Sequence, residues 1–318
     1  MKQKYTILIS GATGTGKSSF AIDLAKELSG EIINADIGSF YKPLSIGTAK
    51  PDWQREEIPH HMFDIIEEPE VYSVVKFREH LHKLMQEIWD RGNVPIVVGG
   101  SAFYIQSFFY RQYDIPGTKG IIDRLEKSDI TSKDLWQKLE AIDLQRAQAI
   151  DPHDRYRIIR ALAIFEATGQ KPSEFGQTFE PLSPYYFVVC HRDREELYDR
   201  IDKRVLQMIN DGWVEELIPL LGTAWEDFLV RKKIIGYDDL LQVVKHGKNI
   251  TDVIPIIQQK TRNYAKRQVT FLKKLQKDLK EKDFPQIMVG NVEQINLTLC
   301  DVGLYIKQLV FKIFKVYG

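Results

Sequence analysis

The sequence predicts an α/β fold, in which a parallel sheet core is interrupted by a helical insertion and followed by a helical C-terminal part. Two observations lead to this prediction. Short apolar runs alternate with amphipathic helical segments through residues 1–112, and they return only after residue 184. Between residues 113 and 184, helical segments replace them. We therefore expect residues 1–112 and 185–318 to build the core, with residues 113–184 inserted into it.

The first predicted strand leads into a glycine-rich loop. Residues 5–10 are an apolar run, and residues 19–28 carry apolar side chains at helical spacing. Backbone N–H groups and a helix N-terminus would surround one anion there, Lys17 would add charge, and the Ser18 hydroxyl could hold magnesium. The sequence thus predicts a P-loop NTPase-like core rather than a glycine-rich turn that binds nothing. The loop fits the pattern G-x-x-x-x-G-K-[ST] in full, with Gly11, Ala12, Thr13, Gly14, Thr15, Gly16, Lys17 and Ser18.

The next two predicted strands end in different residue types. Residues 31–36 end on Asp36, and because the carboxyl ends of parallel strands face the ligand crevice, we expect this carboxylate close to the loop. The strand that begins at Val94 ends on Gly99 and Gly100, without the carboxylate that a motor-type ATPase uses to order magnesium and water. This pattern argues against an ATP-driven machine. The two glycines allow the backbone to approach a ligand closely.

The predicted insertion and the C-terminal part gather positive charge on particular helices. In the last insertion helix, Arg157 and Arg160 lie three positions apart beside Tyr156, a pattern that favours contact with RNA phosphates over a solvated basic face. Residues 260–282 form a helical segment dense in Lys and Arg, and after it we expect a last strand over the run 284–289 and a terminal helix. The predicted insertion helices cover residues 121–128, 133–142, 143–150 and 154–168.

The composition of the chain limits the binding partners and the cellular compartment that we expect for it. The 318 residues include 44 Lys plus Arg and 44 Asp plus Glu, so any basic surface must be local. Neither the two cysteines, Cys190 and Cys300, nor the adjacent His60 and His61 have the spacing of a zinc site. No apolar run is long enough to span a bilayer, and the glycine loop begins too early to follow a signal peptide. We therefore expect a cytoplasmic protein without a membrane partner.

Several motifs in this chain resemble those of the tRNA dimethylallyltransferases, in order and in spacing. The resemblance spans most of the chain, and the ordered set is far more specific than the glycine loop alone. It implies a P-loop α/β core with a helical insertion that grips tRNA. The matching motifs are residues 11–18, Ala35-Asp36, 46–51, 59–61, 95–100 with Tyr104, 154–162, 235–237 and 264–268.

Members of that family move a dimethylallyl group from its diphosphate to the exocyclic amine of the adenosine beside the anticodon, with magnesium. The resemblance therefore implies tRNA, through its anticodon stem-loop, and dimethylallyl diphosphate as partners and Mg²⁺ as cofactor. We also expect a monomer. Asp36 would take a proton from the adenine amine, and Thr13 would hydrogen-bond the bridging oxygen of the diphosphate. Because the adenine must leave its stack, the site should be a channel entered from two ends.

The same resemblance assigns the binding residues. Residues 11–18 and Lys233 would hold the diphosphate, Ser18 would hold the metal, and residues 191–194 with Arg200 would add charge. The implied tRNA-binding set is Asp36, Ile37, Gly38, Ser39, Ser101, Arg124, Tyr156, Arg157, Ile158, Ile159 and Arg160.

The chain departs from the family pattern around the target base. The family's Ser-x-Gln-x-Tyr after the aspartate is Ile-Gly-Ser-Phe-Tyr at residues 37–41, Ser45 stands in place of an aspartate, and Ser101 in place of a threonine. Lys233 replaces a common arginine and keeps its charge without the bidentate fork. The open alternatives are an adenylate-type isopentenyltransferase acting on free AMP, ADP or ATP, a catalytically impaired tRNA-binding relative, and a P-loop small-molecule kinase.

Overall fold

The computed structural model describes residues 3–111, 115–281 and 290–318. The strands are β1 (Thr6–Gly11), β2 (Gly30–Asn34), β3 (His60–His61), β4 (Val94–Gly99), β5 (Tyr110–Arg111), β6 (Thr178–Phe179), β7 (Tyr185–His191) and β8 (Gly290–Asn296). The α-helices are α1 (Lys17–Leu28), α2 (Val74–Asp90), α3 (Ala102–Phe109), α4 (Thr118–Glu126), α5 (Ser132–Ile142), α6 (Leu144–Gln148), α7 (Arg155–Thr168), α8 (Arg194–Asn210), α9 (Trp213–Leu217), α10 (Ala224–Lys232), α11 (Tyr237–His246), α12 (Ile250–Lys280) and α13 (Val302–Tyr317).

A parallel sheet forms the centre of the core, as predicted. Within the described residues it has six strands in the order β3-β2-β4-β1-β7-β8. Ile9 of the central strand β1 pairs with Val98 on one side and with Val188 on the other. β1 is buried along its whole length, as an apolar run in a parallel sheet should be. Because the strands are parallel, the loops that follow β1, β2 and β4 come together at one edge.

The flanking helices cover the sheet with the apolar faces that their periodicity predicts. Phe20 and Leu24 of α1 form one buried cluster with Ile7 and Ile9 of β1, and apolar residues of α13 complete it. Leu8, the residue between the two isoleucines, points to the opposite face of the sheet and is also fully buried. The sheet is therefore covered on both faces, which leaves its carboxyl edge for a ligand.

The C-terminal elements differ from the sequence prediction in their limits. α12 begins at Ile250, well before the expected start at residue 260, and contains Pro255. Asn249 caps the helix by accepting the N–H of Thr251, and burial of residues such as Ile257 outweighs the disruptive effect of the proline. The run 284–289, predicted as the last strand, lies outside the described residues. The last strand that the structure describes is β8, which pairs in parallel with β7.

The described chain divides into two compact units, Met1–Phe109 with Pro181–Gly318, and Tyr110–Glu180. The second unit contains helices α4 to α7, which occupy the predicted helical segments, and the short antiparallel pair β5–β6. It has its own apolar core, in which Leu135 and Leu139 of α5 pack with Ile158 and Ile159 of α7. None of the helices in the described ranges has the length and apolar character needed to cross a bilayer.

Candidate active site

The glycine loop connects β1 to α1 at the carboxyl edge of the sheet. Gly16 precedes the first residue of α1 with a φ of 92°, a left-handed conformation that glycine adopts readily. Thr15 donates its N–H and its hydroxyl to the carbonyl oxygen of Ala12, at 3.3 and 2.8 Å, which closes the loop on itself. The first turn of α1 leaves backbone N–H groups for an anion. The local geometry is that of a phosphate-binding loop.

Asp36 follows β2 and lies beside the loop lysine, where the sequence placed it. Lys17 is only 8 % exposed, and its Nζ lies 3.6 Å from Asp36 Oδ2. The carboxylate also accepts the N–H of Gly100 at 3.0 Å and the hydroxyl of Ser101 at 2.9 Å. Ser101 Oγ in turn accepts the N–H of Ile37 at 3.1 Å. These contacts hold the carboxylate in one orientation next to the loop.

A glutamine of α12 connects the glycine loop to the end of β4. Gln268 is 4 % exposed, accepts the N–H of Thr13 at 2.9 Å and donates Nε2 to the carbonyl oxygen of Gly100 at 2.7 Å. A Cβ on Gly100 would lie 2.6 Å from that nitrogen, and one on Gly99 would lie 2.4 Å from the backbone carbonyl carbon of Ala35. The two glycines therefore admit neighbouring protein atoms at close range, and the close approach of a ligand that the sequence suggested stays a prediction.

Arginines at the end of β7 and on α8 surround the loop. Arg192 and Arg200 each donate Nε–H to a loop carbonyl oxygen at 2.8 Å. Arg204 approaches Thr13 Oγ1 at 3.5 Å, and burial lowers the pKa of its guanidinium although the charge of Asp36 opposes that shift. The sequence analysis assigns a role to Arg200 but none to Arg204. The four-residue spacing of the two arginines places them on one helix face, and this pattern could have indicated Arg204 as well.

The glycine loop, Asp36, Arg200 and Arg204 line one cavity of about 490 Å³, which is the size of a small-molecule site. Ser18 lies exposed on the first turn of α1, and Ser39 is 5 % exposed; both line the cavity. Ile22, Phe63 and Val98 supply apolar lining. An anionic ligand with an apolar part fits such a surface. Polar lining also comes from Thr13, Lys17, Asp36, Arg200, Lys203 and Arg204.

A carboxylate of α9 holds the loop that supplies Thr48 and Ala49 to the cavity lining. Glu216 accepts the N–H groups of three successive residues, 45–47, at 2.6 to 3.1 Å. Tyr237 donates its hydroxyl to the same carboxylate at 2.6 Å. Glu216 lies 170 positions from Ile46 in the sequence, so no local sequence pattern could predict this contact.

Gly38 and Lys233, which the sequence predicts to bind tRNA and the diphosphate, differ in their position relative to the cavity. A Cβ on Gly38 would lie 2.9 Å from Thr48 Cγ2, so Gly38 packs closely against the loop at the cavity. Lys233 is exposed at the end of α10 in a left-handed conformation, with a φ of 49°, and it is not part of the cavity lining. Its contact with a diphosphate stays a prediction.

The insertion residues predicted to bind tRNA divide into exposed and buried side chains. Tyr156 is 61 % exposed, and Arg157 and Arg160 are exposed beside it. Ile158 and Ile159 are 0 % and 1 % exposed because they belong to the core of the insertion, so their side chains are not available to RNA. In the same unit, Arg124 pairs with Glu166, and Arg155 donates to the carbonyl oxygens of Leu125, Ser128 and Ile130.

Ser18 is the residue that could hold a magnesium ion. In the part of the chain that the structure describes, no group of three or more His, Cys, Asp or Glu side chains could bind a metal alone. Magnesium usually keeps several water molecules and binds through one or two protein ligands plus phosphate oxygens. A serine at the mouth of a phosphate-binding loop therefore fits an ion that binds together with a diphosphate.

The fold and the site are those of an α/β protein of the P-loop class with a carboxylate facing the loop. A sequence model described as IPP transferase matches residues 39–275. The tRNA dimethylallyltransferase of Thermoanaerobacter sp. (strain X514) is 37% identical over 84% of this chain and 88% of its own length. That of Alkaliphilus oremlandii is 33% identical over 98% of both chains. The chain belongs to the IPP transferase family.

Solved structures agree with this assignment. A eukaryotic dimethylallyltransferase acting on tRNA matches with a TM-score of 0.77 at 29% identity, over 98% of this chain and 79% of that one. The full-length tRNA isopentenylpyrophosphate transferase of Bacillus halodurans matches with a TM-score of 0.64 at 29% identity, over 99% and 96% of the two chains. The similarity thus extends over nearly the whole chain, insertion included.

Proposed function

We propose that this protein transfers the dimethylallyl group of dimethylallyl diphosphate to the exocyclic amine of the adenosine beside the anticodon of tRNA. The observation that carries this proposal is the position of Asp36, 3.6 Å from the Nζ of Lys17 in the phosphate loop. A cradle for a leaving diphosphate and a proton acceptor thus face one cavity, as displacement by an amine requires. Relatives named tRNA dimethylallyltransferase in the same family support the proposal.

The phosphate loop acts on the leaving group. Negative charge grows on the diphosphate as the bond between the allylic carbon and the bridging oxygen breaks. The Lys17 ammonium and the N–H groups at the start of α1 stabilise that charge, and the hydroxyl of Thr13 donates to the bridging oxygen. A magnesium ion, when bound at Ser18, supplies further neutralisation of the diphosphate.

Asp36 acts on the nucleophile. The exocyclic nitrogen attacks the allylic carbon, its proton passes to the Asp36 carboxylate, and the diphosphate departs with the electron pair of the broken carbon–oxygen bond. Gly100 N–H and Ser101 Oγ–H each bind one carboxylate oxygen, which orients the carboxylate. Each oxygen keeps a further lone pair with which to accept from the amine.

The tRNA would reach the site through two sets of residues. Ser39 lines the cavity and Ser101 donates its hydroxyl to Asp36, so both would lie near the target base once it has left its stack. In the insertion, the exposed side chains Tyr156, Arg157 and Arg160 would stack on or pair with the anticodon stem-loop. We take the protein to act as a monomer in the cytoplasm.

Transfer of label from radiolabelled dimethylallyl diphosphate tests this proposal. The protein and Mg²⁺ are incubated with tRNA that carries adenosine beside the anticodon, with the same tRNA carrying guanosine there, or with AMP. We expect label only in the adenosine-containing tRNA. Label in AMP would instead identify an adenylate-type isopentenyltransferase, and label in none of the acceptors would refute the transferase proposal.

A further inference from the structure

A second cavity, of about 460 Å³, lies against the other side of the phosphate loop. Ala12 and Thr15 line it, whereas Thr13, Gly14 and Lys17 line the first cavity, and the two linings have no residue in common. The remaining walls come from the end of β7, the start of α8, the second half of α12 and β8. The loop therefore separates two cavities, and the proposed reaction uses only the first.

The second cavity has three exposed cationic side chains without a carboxylate partner among the described residues. Arg194, Lys266 and Lys273 line it, and no carboxylate in the described ranges lies within ion-pair distance of any of them. The guanidinium of Arg194 lies over the ring of Tyr198, 5.3 Å from its centre, so it presents a flat surface. By contrast, Arg192 in the same wall is paired with Glu196 at 2.6 Å. This arrangement suits a ligand with an anionic group.

A buried amide in the same wall lacks an acceptor. Gln276 is 3 % exposed, and its Oε1 accepts from the side chain of Gln294. Its Nε2 has no hydrogen-bond partner among the residues that the structure describes. A buried N–H donor left unsatisfied is costly, and in native proteins it usually marks a bound molecule or a functional role. Both glutamines line the cavity, and a rotation of the Gln276 amide, whose nitrogen is shielded in this structure, would present its N–H to an acceptor on a ligand.

The rest of the lining is apolar. Val189, Leu197, Val269 and Leu272 supply hydrocarbon surface between the cationic groups and the glutamine pair. A ligand that satisfies all three surfaces has a phosphate, a flat apolar body and a hydrogen-bond acceptor on that body. A nucleotide has these parts, whereas a prenyl chain offers no acceptor to Gln276.

We propose that the second cavity binds a nucleotide, with its phosphate at Lys266 and Lys273 and the edge of its base at Gln276. This site is distinct from those of the tRNA and of the prenyl diphosphate. Because Ala12 and Thr15 belong to both the cavity wall and the phosphate loop, a nucleotide bound there contacts the back of the loop on which the transfer reaction depends.

Calorimetric titration of the full chain with AMP tests the proposal, with inorganic phosphate and dimethylallyl diphosphate as separate probes. Lys273→Gln and Gln276→Leu should each weaken AMP binding about tenfold, since each removes one contact to the ligand. Lys277→Gln is the matched control, because Lys277 is an exposed neighbour on α12 whose Nζ lies 3.8 Å from Glu281. Lys17→Met, which alters the first cavity only, should leave AMP binding unchanged.

The opposite pattern would overturn the proposal. AMP binding that is lost in Lys17→Met and kept in Lys273→Gln would place the nucleotide in the phosphate loop. Inorganic phosphate bound as tightly as AMP would mean an anion site without base recognition. If Lys273→Gln weakened the binding of dimethylallyl diphosphate as much as that of AMP, the cavity would belong to the prenyl donor. If it weakened tRNA binding and left AMP binding unchanged, Lys273 would be an RNA contact. None of these readouts requires prenyl transfer.

Discussion

The orientation of the Asp36 carboxylate depends on Lys17, Gly100 and Ser101, and this makes its proton-accepting role testable by a change of one atom. Asp36→Asn keeps the size of the side chain but removes the charge and the capacity to take a proton. We expect the single-turnover rate of prenyl transfer to fall by about 10²- to 10⁴-fold, the usual contribution of a general base, while the affinity for tRNA is kept.

The control for this substitution is Asp52→Asn. Asp52 is an exposed carboxylate that pairs with Arg55 at 3.3 Å on the protein surface, so its loss should change neither rate nor binding. If Asp36→Asn lost tRNA binding or thermal stability together with activity, the carboxylate would be structural rather than catalytic.

Glu31 of β2 makes the fold sensitive to acid. Its carboxylate is 2 % exposed and accepts hydrogen bonds from Arg91, Asn93 and His61. Burial alone would raise its pKa, but the hydrogen bonds outweigh burial and lower the pKa from 4.5 to about 2. Since the pKa is lower in the folded state, this stabilisation is complete above the unfolded-state value and is lost as the pH falls towards 2.

Urea unfolding at a series of pH values measures this contribution. We expect the wild type to lose stability as the pH falls from 4.5 towards 2, and Glu31→Gln to lose clearly less over the same window. Glu27→Gln, which changes an exposed carboxylate of α1, should follow the wild-type curve. Coinciding curves for the wild type and Glu31→Gln would show that other groups govern acid unfolding.

The sequence could predict those site residues that lie on local motifs. The loop residues and Asp36 each follow a predicted strand, and parallel strands bring such ends together. Gln268 lies in the motif 264–268 that resembles the family, but its contact with Thr13 spans 255 positions, and the contact of Glu216 with Ile46 spans 170. Only the packing of α12 and α9 creates these contacts, so the periodicity of the sequence could not predict them.

At the scale of elements, the clearest amphipathic helix was predicted well, and a helix of nearly uniform apolar character was not. Apolar residues at helical spacing predict an amphipathic helix over residues 71–91, and α2 spans Val74–Asp90, so its start differs by three residues and its end by one. α3 (Ala102–Phe109) is apolar at all but two positions, so its sequence shows no helical period to detect, although Phe103 is 45 % exposed. Nearly uniform apolar character removes the contrast on which such sequence patterns depend.

Among the elements, α9 has a positioning role that a substitution can test. Glu216 fixes residues 45–47, and the loop then supplies Thr48 and Ala49 to the cavity. Glu216→Gln replaces an acceptor for three N–H groups with an amide that accepts fewer, so the loop should loosen. We expect the KM for tRNA to rise about tenfold with little change in the binding of diphosphate, measured by steady-state kinetics and calorimetry.

The neighbouring Glu215→Gln provides the control, because Glu215 is exposed on the same helix. It should leave KM and kcat unchanged. An equal effect of the two substitutions would mean that the charge of α9, and not the contact with the loop, affects tRNA binding.

At the scale of the whole molecule, the chain leaves the core and returns to it at one place. The N–H of Leu182 donates to the carbonyl oxygen of Phe108 at 3.2 Å, so the two ends of the core are adjacent where the segment Tyr110–Glu180 is inserted. That segment has its own apolar core. Its removal should therefore take no buried residue from the sheet, and a short Gly-Ser linker can join the ends.

We expect the chain without residues 110–180 to fold cooperatively and to bind diphosphate as the full chain does, because the phosphate loop, Asp36 and Gln268 all remain. Its affinity for tRNA should fall at least about a hundredfold, since the exposed cations of α7 are lost. Circular dichroism, calorimetry with diphosphate and filter binding with tRNA measure the three properties.

In the full-length protein, Arg157→Glu combined with Arg160→Glu should weaken tRNA binding and reduce its salt dependence, while diphosphate binding is unchanged. Retained tRNA affinity in both variants would place the RNA contact outside the insertion.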